Sequence, residues 1–500
     1  MIEFLEALLQ AAQNIFLSPE NIAWVTGGTL LGIIIGAIPG LGPALGVAII
    51  IPFTIKIETV PALLFAISIY DGAMYGGSIS SILLNTPGDA SAAATTIEGF
   101  PMAKQGKAID ALTACGVASA LGGLVGDIIA VTCLTIIGGF ILLFGTPEFF
   151  LLGIFGIIIV SRITKGAFYK GIISGLLGLS VTAIGIGVMS ADVRYTFGFW
   201  ELFDGIPFIA VLMGMFGIAT MSQLAGEPQS AISREALQGS RINGILIALR
   251  EWPTIIKSSV IGFIVGAFPG TGGSVATFIA YGEAVRSSPD QKFGNGNPKG
   301  LVATEASNNA MIDGALLPTL LFGIPGSGTT AAFLAIMILH GFRWGHTLFE
   351  GEGLIVTLTI FMGLLFSEIV IIIFALATAK HIGYLTTINK NYIIPFVIIM
   401  ASLGIFTLRF NFVDLFAMGI FGFIGFVMNR YGYPIIPAVM GAILGKIIEE
   451  NFIRSLMLGE GVFIFFNPIG HPISFILVVL ILFVLFKPLV SSLFNKKVLK

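Results

Sequence analysis

A seven-residue motif occurs twice in this chain, and both copies interrupt long apolar runs. The first reads Gly36-Ala37-Ile38-Pro39-Gly40-Leu41-Gly42 and the second Gly266-Ala267-Phe268-Pro269-Gly270-Thr271-Gly272. Five of the seven positions match, and the two prolines stand 230 residues apart. Proline removes a backbone donor and clashes with the preceding turn, so a helix stops there with polar backbone groups unpaired. In lipid, such groups are tolerated only where the backbone is buried in protein or lines a polar cavity. Paired breaks at matching places in two halves point to a ligand site of the kind found in secondary transporters.

Composition sets the solvent. Of 500 residues, 56% are hydrophobic and only 10% charged. Soluble domains carry about 25% charged residues, so a chain this long and apolar is read as a polytopic membrane protein in a lipid bilayer. A net charge of −2 with no basic cluster points to no nucleic-acid partner. Cys115 and Cys133 both sit in one apolar stretch and suggest no disulfide framework. The first residues carry Glu3 and Glu6 where a cleaved signal carries positive charge. Apolar positions at helical spacing predict an interfacial amphipathic helix there, ending near Ser18-Pro19.

The expected fold class is an all-α polytopic membrane protein built of two homologous repeats with Pro-Gly-broken or re-entrant helices. Apolar segments are expected near 22–38, 42–56, 58–84, 108–143, 147–162, 167–189, 205–224, 254–268, 271–285, 312–324, 327–340, 352–380, 391–408, 411–428, 433–448 and 470–494. Several are too short to cross a bilayer alone. The run at 42–56 ends at Pro52, and Pro325-Gly326 is all that separates 312–324 from 327–340. These read as half-helices or re-entrant hairpins. The expected organisation is the interfacial helix 1–20, a first transmembrane repeat 21–224, a polar linker 225–253, a second repeat 254–466, and a C-terminal helix with a basic tail 467–500. The linker carries Arg234, Arg241 and Arg250, and the loop 286–300 also carries Lys and Arg. Both loops and the tail are placed on the cytoplasmic side.

The repeat extends beyond the motif. Residues 76–88 align with 314–326, Ser91 with Thr329, and Asp71 with Asn309. Pro39 to Pro87 is 48 residues and Pro269 to Pro325 is 56, so the polar loop 286–300 absorbs the extra eight. An inverted arrangement is favoured, as in transporters with midplane sites.

Four breaks result: Pro39-Gly40, Pro87-Gly88, Pro269-Gly270 and Pro325-Gly326. Small residues such as Gly42 and Gly272 let backbone approach a ligand, and a helix start presents free N–H groups and a positive dipole end. Such a site holds an anion without a fixed cation, and Arg and Lys are nearly absent from the apolar segments. Ser91, Thr271, Ser274, Ser327, Thr329 and Thr330 follow the breaks and are the candidate substrate hydroxyls, with Asn85 just ahead of Pro87. Intramembrane acids and amides are expensive and read as functional. Asp71, Asn85, Asn309 and Asp313 are the candidate cation ligands, with Asp127 and Glu368 as further candidates in long apolar runs. His340 and His346, around Arg343 and Trp344, read as an interfacial belt. No paired-His metal spacing, Walker loop or nucleophile–base signature occurs, which argues against an enzyme and against ATP-driven transport. No cofactor is expected beyond a coupling ion, Na⁺ or H⁺.

The stretches PGLGPALGVAIIIPFT (39–54), YGGSISSILLNTPGDASAAATTIEGFPMAKQGKA (75–108), GAFPGTGGSVATFIAYGEAVRSS (266–288) and the segment 304–330 resemble the large membrane subunit of the tripartite tricarboxylate transporters. The resemblance covers essentially the whole chain. It implies a translocation subunit in the bacterial inner membrane, importing citrate and related di- and tricarboxylates on an ion gradient, commonly Na⁺. It also implies two partners, a small membrane subunit and a periplasmic solute-binding protein. The family's Pro-Gly motifs fall on Pro39, Gly40, Gly42, Pro269, Gly270 and Gly272, and its longer motif on Asn85 to Ser91. An uncoupled organic-anion channel and a stand-alone transporter without a binding protein are the alternatives, and a homodimer is left open.

Overall fold

Helix boundaries in this chain follow proline and glycine. The computed structural model describes residues 2–141, 143–164, 167–187, 189, 192–226, 237–270, 272–382, 390–458 and 461–495. The candidate residue Thr271, Arg234 of the linker and the last five residues of the basic tail lie outside the described residues. The first half contains α1 (Ile2–Phe16), α2 (Pro19–Ala37), α3 (Pro43–Thr54), α4 (Thr59–Leu84), α5 (Thr96–Lys104), α6 (Ala108–Ile141), α7 (Thr146–Ile163), α8 (Phe168–Thr182), α9 (Phe208–Leu212) and α10 (Ala219–Gly226). The second contains α11 (Arg241–Arg250), α12 (Trp252–Gly266), α13 (Gly272–Arg286), α14 (Pro298–Phe322), α15 (Gly328–Leu339), α16 (Gly351–Thr378), α17 (Lys390–Arg409), α18 (Phe412–Arg430), α19 (Ile435–Met457) and α20 (Pro472–Asn495). A two-residue antiparallel pairing of Gly185–Ile186 with Val193–Arg194 is the only sheet among the described residues. Seven helical spans there are long and apolar enough to cross a membrane, including α2, α4 and α16. The protein is an all-α, multi-pass membrane protein.

Three segments differ from expectation. The run at 312–324 is the end of one 25-residue helix, α14. Its first half, with Thr304, Glu305, Ser307, Asn308 and Asn309, is too polar to score as apolar, yet every residue from Gly300 to Leu321 is buried. Protein, not lipid, surrounds it. Pro52 does not end α3, which continues to Thr54: a proline removes only the bond its own N–H would donate to the Ala48 carbonyl, and the helix stops two residues later. The 167–189 segment stops being helical at Thr182 and gives way to the small hairpin.

α2 and α3 form a hairpin around the Pro39-Gly40 break. α2 runs parallel to α4, with Gly28 against Phe65 and Ser68, Gly32 against Ile69, and Gly36 against Ala73. A methyl group at Gly36 would collide with the Ala73 carbonyl, so only glycine permits this approach. α12 and α13 form a second hairpin around Pro269-Gly270, and α12 runs parallel to α14, with Gly262 against Ser307 and Gly266 against Met311. α4 and α14 cross antiparallel: Tyr70 meets Met311, Asp71 meets Asn309, Met74 meets Asn308 and Ser78 meets Glu305. The two hairpins therefore enter the molecule from opposite ends.

One end is fastened by the linker and by the loop 286–300. The Gln238 carbonyl accepts from the Ile109 N–H at 2.9 Å, Arg241 donates to the Ala377 carbonyl at 2.9 Å, and Gln105 donates to the Asn295 carbonyl at 2.7 Å. The interfacial helix α1 lies on α16, burying Ala7, Ala11 and Ile15, with Asn14 donating to Thr359 at 3.3 Å.

Candidate functional site

The four Pro-Gly breaks converge on the middle of α4. α4 ends at Asn85 and α14 at Gly323, both in the left-handed region (φ 55° and 67°). That turn re-aims each chain into its break. The Gly88 N–H then donates back to the Gly77 carbonyl at 3.2 Å, and the Gly270 N–H donates to the Gly326 carbonyl at 3.0 Å, tying two breaks together. The start of α3 reaches the start of α15, since a Cβ at Gly328 would lie 3.6 Å from that of Ala44. The start of α13 reaches Ser91, whose carbonyl accepts from Thr277 at 2.9 Å. Tyr70, fully buried on α4, hydrogen-bonds Ser327 at 3.2 Å. Pro39, Gly40, Gly42, Pro87, Gly88, Pro269, Gly270, Gly272, Pro325 and Gly326 therefore lie on the walls of one region.

The hydroxyls there are not equivalent. Ser91 donates to Asp89 at 2.7 Å, and the same carboxylate takes the N–H groups of Ser91 and Ala92. The donors after the second break are thus occupied by the chain's own carboxylate. Ser327 caps α15 by accepting from the Thr330 N–H at 3.2 Å, while Thr330 accepts from the Ser327 N–H at 2.9 Å. Ser327 and Thr330 hold the helix start in place. Among the described residues no such bond occupies Ser274 or the buried Thr329, at the starts of α13 and α15.

Beside the breaks lies a set of acids. Asn309 donates to Asp71 at 3.0 Å and to Glu368 at 3.3 Å, joining α4, α14 and α16. Asp313, one turn further along α14, faces Asp127 of α6. Gly123 and Gly126 of α6 leave the room: a Cβ on either would strike the carboxylates of Glu368 or Asp313. Asp71, Asp127, Asp313 and Glu368 are all buried. No ion pair reaches any of them among the described residues. One oxygen each of Asp71, Asp313 and Glu368, both of Asp127, and the amide oxygens of Asn308 and Asn309 have no hydrogen-bond partner. The structure does not bring Asn85 to this set. It is exposed at the C-terminus of α4, about 20 Å along the helix from Asp71. No three His, Cys, Asp or Glu side chains among the described residues are arranged to hold a metal, so any cation here draws on amide and backbone oxygens too.

The other buried acids show what a structural carboxylate looks like in this molecule. Glu305 accepts from Ser78 at 2.8 Å, Ser119 at 2.9 Å, Cys115 at 3.0 Å and also Thr95. Glu98 accepts from Tyr281 and from the N–H groups of Gly294, Gly296 and Asn297, at 2.6–2.8 Å. Asp414 pairs with Arg409, Glu148 takes Ser474 and the Gly145 N–H, and Asp110 takes Asn243 and the Ser240 N–H. Each of these five is met by donors. Among the described residues the set of four shares a single amide donor, Asn309, which reaches only Asp71 and Glu368, and a buried charge without partners costs several kcal/mol (about 3–5). Sequence reasoning missed Glu98 and Glu305. The signal for Glu305 is its spacing of four from Asn309 and eight from Asp313, a polar stripe on one helix face.

A bundle with half-helices meeting head to head beside uncompensated intramembrane acids is the architecture of a membrane transport protein. A family model described as the tripartite tricarboxylate transporter TctA family matches residues 22–440. An uncharacterized 52.8 kDa protein in the TAR-I ttuC' 3' region of Agrobacterium vitis is 29% identical over 465 residues, covering 91% of each chain. An uncharacterized protein in the TAR-II ttuC' 3' region of the same organism is 27% identical over 205 residues, covering 40% of this chain and 83% of its own. No solved structure matches. The chain belongs to the tripartite tricarboxylate transporter TctA family.

Proposed function

We propose that the protein is the translocation subunit of a cation-coupled secondary transporter, driven by Na⁺ or H⁺, that imports tricarboxylates and dicarboxylates such as citrate. It works with a small membrane subunit and an extracytoplasmic solute-binding protein. The observation that carries this reading is the set of four buried carboxyl groups without an ion pair among the described residues, on α4, α6, α14 and α16, beside the converging breaks. Asp71 neighbours Tyr70, which hydrogen-bonds the cap of α15, so ion site and anion site share a helix turn.

The anion is held by the helix starts after Gly42, Gly272 and Ser327, with Ser274 and Thr329 free to donate. The cation or proton sits among Asp71, Asn309, Asp313, Asp127 and Glu368. Binding of each offsets the cost of burying the other, and that is the physical basis of coupling. The opposite entry of the two hairpins supports an inverted duplication, with access alternating around the shared centre. The test is uptake of labelled citrate into proteoliposomes carrying the protein and its partners, under an imposed Na⁺ or pH gradient. Accumulation that follows one gradient supports the reading. Citrate flux indifferent to both gradients, without counterflow, identifies a channel instead.

A further inference from the structure

At the end of the bundle away from the linker lies a cavity of about 780 Å³, within the range for small-molecule sites. The C-terminal turns of α15 and α17, the middle of α19 and the loops at 144–149, 204–209 and 343–347 enclose it. Its apolar wall includes Phe144, Phe208 and Trp344. Trp344 lies against Gly323, the left-handed residue that turns α14 into its break. The cavity is therefore stacked on the Pro325-Gly326 break, roughly 15 Å along α14 from Asp313.

Its charges sort clearly. Arg409 is bidentate on Asp414, and Arg454 pairs with Glu450 at 2.5 Å. Arg343 and Lys446 also line the cavity, and among the described residues neither has an ion-pair or side-chain hydrogen-bond partner. Asp204 at the rim pairs with neither. Asn451 adds an amide that is already donating to the Ile447 carbonyl, leaving its oxygen as an acceptor. Two unpaired cations over aromatic walls suit a ligand with at least two carboxylates on a short carbon frame.

We propose that this cavity is a second anion site, an outward vestibule in which Arg343 and Lys446 bind a di- or tricarboxylate before it reaches the breaks. This rests on the reading that the cargo is an organic polycarboxylate. A cleft whose unpaired charges are positive in excess raises the local concentration of an anionic ligand and speeds capture. The inner site, by contrast, uses helix starts and no fixed cation, so the ligand is not trapped on leaving the vestibule.

Trp344 makes the site observable. With the other tryptophans replaced (W24F, W200F, W252F), full-length protein in lipid nanodiscs is titrated with citrate while Trp344 emission is followed. The expected result is a saturable change. R343Q and K446Q each raise the half-saturating concentration about ten-fold, and R343K leaves it near the starting value. D204N, a rim change that keeps both cations, tightens binding. In the reconstituted transporter, R343Q raises the KM for citrate at unchanged maximal rate. No Trp344 response to citrate, or a response that R343Q and K446Q together leave intact, overturns the proposal. Weaker binding by D204N also counts against it, even if the double variant fails to assemble. A charge-dependent Trp344 response in protein that takes up no citrate keeps the vestibule and rejects the transport reading.

Discussion

Replacing Asp71 by asparagine separates an ion-coupling carboxyl from a structural one, because the two roles predict opposite signs. Asn at position 71 keeps the shape and keeps an acceptor for Asn309, now 3.0 Å from Asp71 Oδ1. It removes a carboxyl whose second oxygen has no donor. A structural acid should lose stability on this change. An uncompensated one should lose none, because burying an amide without its last partner costs about 1–3 kcal/mol while an unpaired carboxylate costs more. At about 2.1 cal/mol/K per residue, a chain of 500 residues shifts its midpoint by about 1 °C per kcal/mol. The expected outcome for D71N is a melting midpoint unchanged or raised by about 1–2 °C. Coupled citrate uptake falls at least ten-fold, since a charged ligand contact is worth about 1.5–3 kcal/mol. The assays are thermal denaturation in detergent and gradient-driven uptake in proteoliposomes with the partner subunits. A D71N protein that melts lower by several degrees, yet keeps its ion dependence, refutes the reasoning outright.

Glu305→Gln tests the contrasting class. Its amide would face donors that now point at a carboxylate oxygen, so the midpoint drops by about 2–4 °C, read by the same melt. Glu368→Gln and Asp127→Asn should behave like D71N, with stability retained and ion dependence of uptake lost. Ser327→Ala removes the cap of α15 and the partner of Tyr70, costing about 1–2 kcal/mol and weakening citrate binding measured by calorimetry. Gly36→Ala drives a methyl into the Ala73 carbonyl. An overpacked contact of this kind costs about 1–3 kcal/mol, so the yield of monodisperse protein on size exclusion should fall.

The breaks were legible because Pro-Gly inside an apolar run has few innocent explanations. Aligning the halves set Asp71 opposite Asn309, and those two residues are hydrogen-bonded in the fold. Equivalent residues meet in this way when they lie near an axis relating two halves, so a sequence offset carried spatial information. α14 was only half legible. Hydropathy registers lipid contact, and a helix wrapped in protein gives no such signal. The commitment of Ser91 to Asp89, and of Ser327 to Thr330, was invisible because it depends on which way a turn points after the break. Asn85 was misplaced for the same reason: proximity to Pro87 in sequence says nothing of its outward left-handed turn. The vestibule gave no sequence signal, as its lining comes from segments hundreds of residues apart.

Glu98 has a mechanical consequence. It stands just past the first half's break, yet its carboxylate clasps Tyr281 of α13 and three N–H groups of the loop leading into α14. Eleven residues beyond Glu98, the Ile109 N–H donates to the Gln238 carbonyl and adds the linker to the same knot. The two halves are riveted together at that end. At the other end both halves line a hollow, the first through Phe144 and Phe208 and the second through Trp344 and Lys446. A body riveted at one end and hollow at the other yields at the hollow end first, so the end away from the linker is where the two halves have room to move against each other.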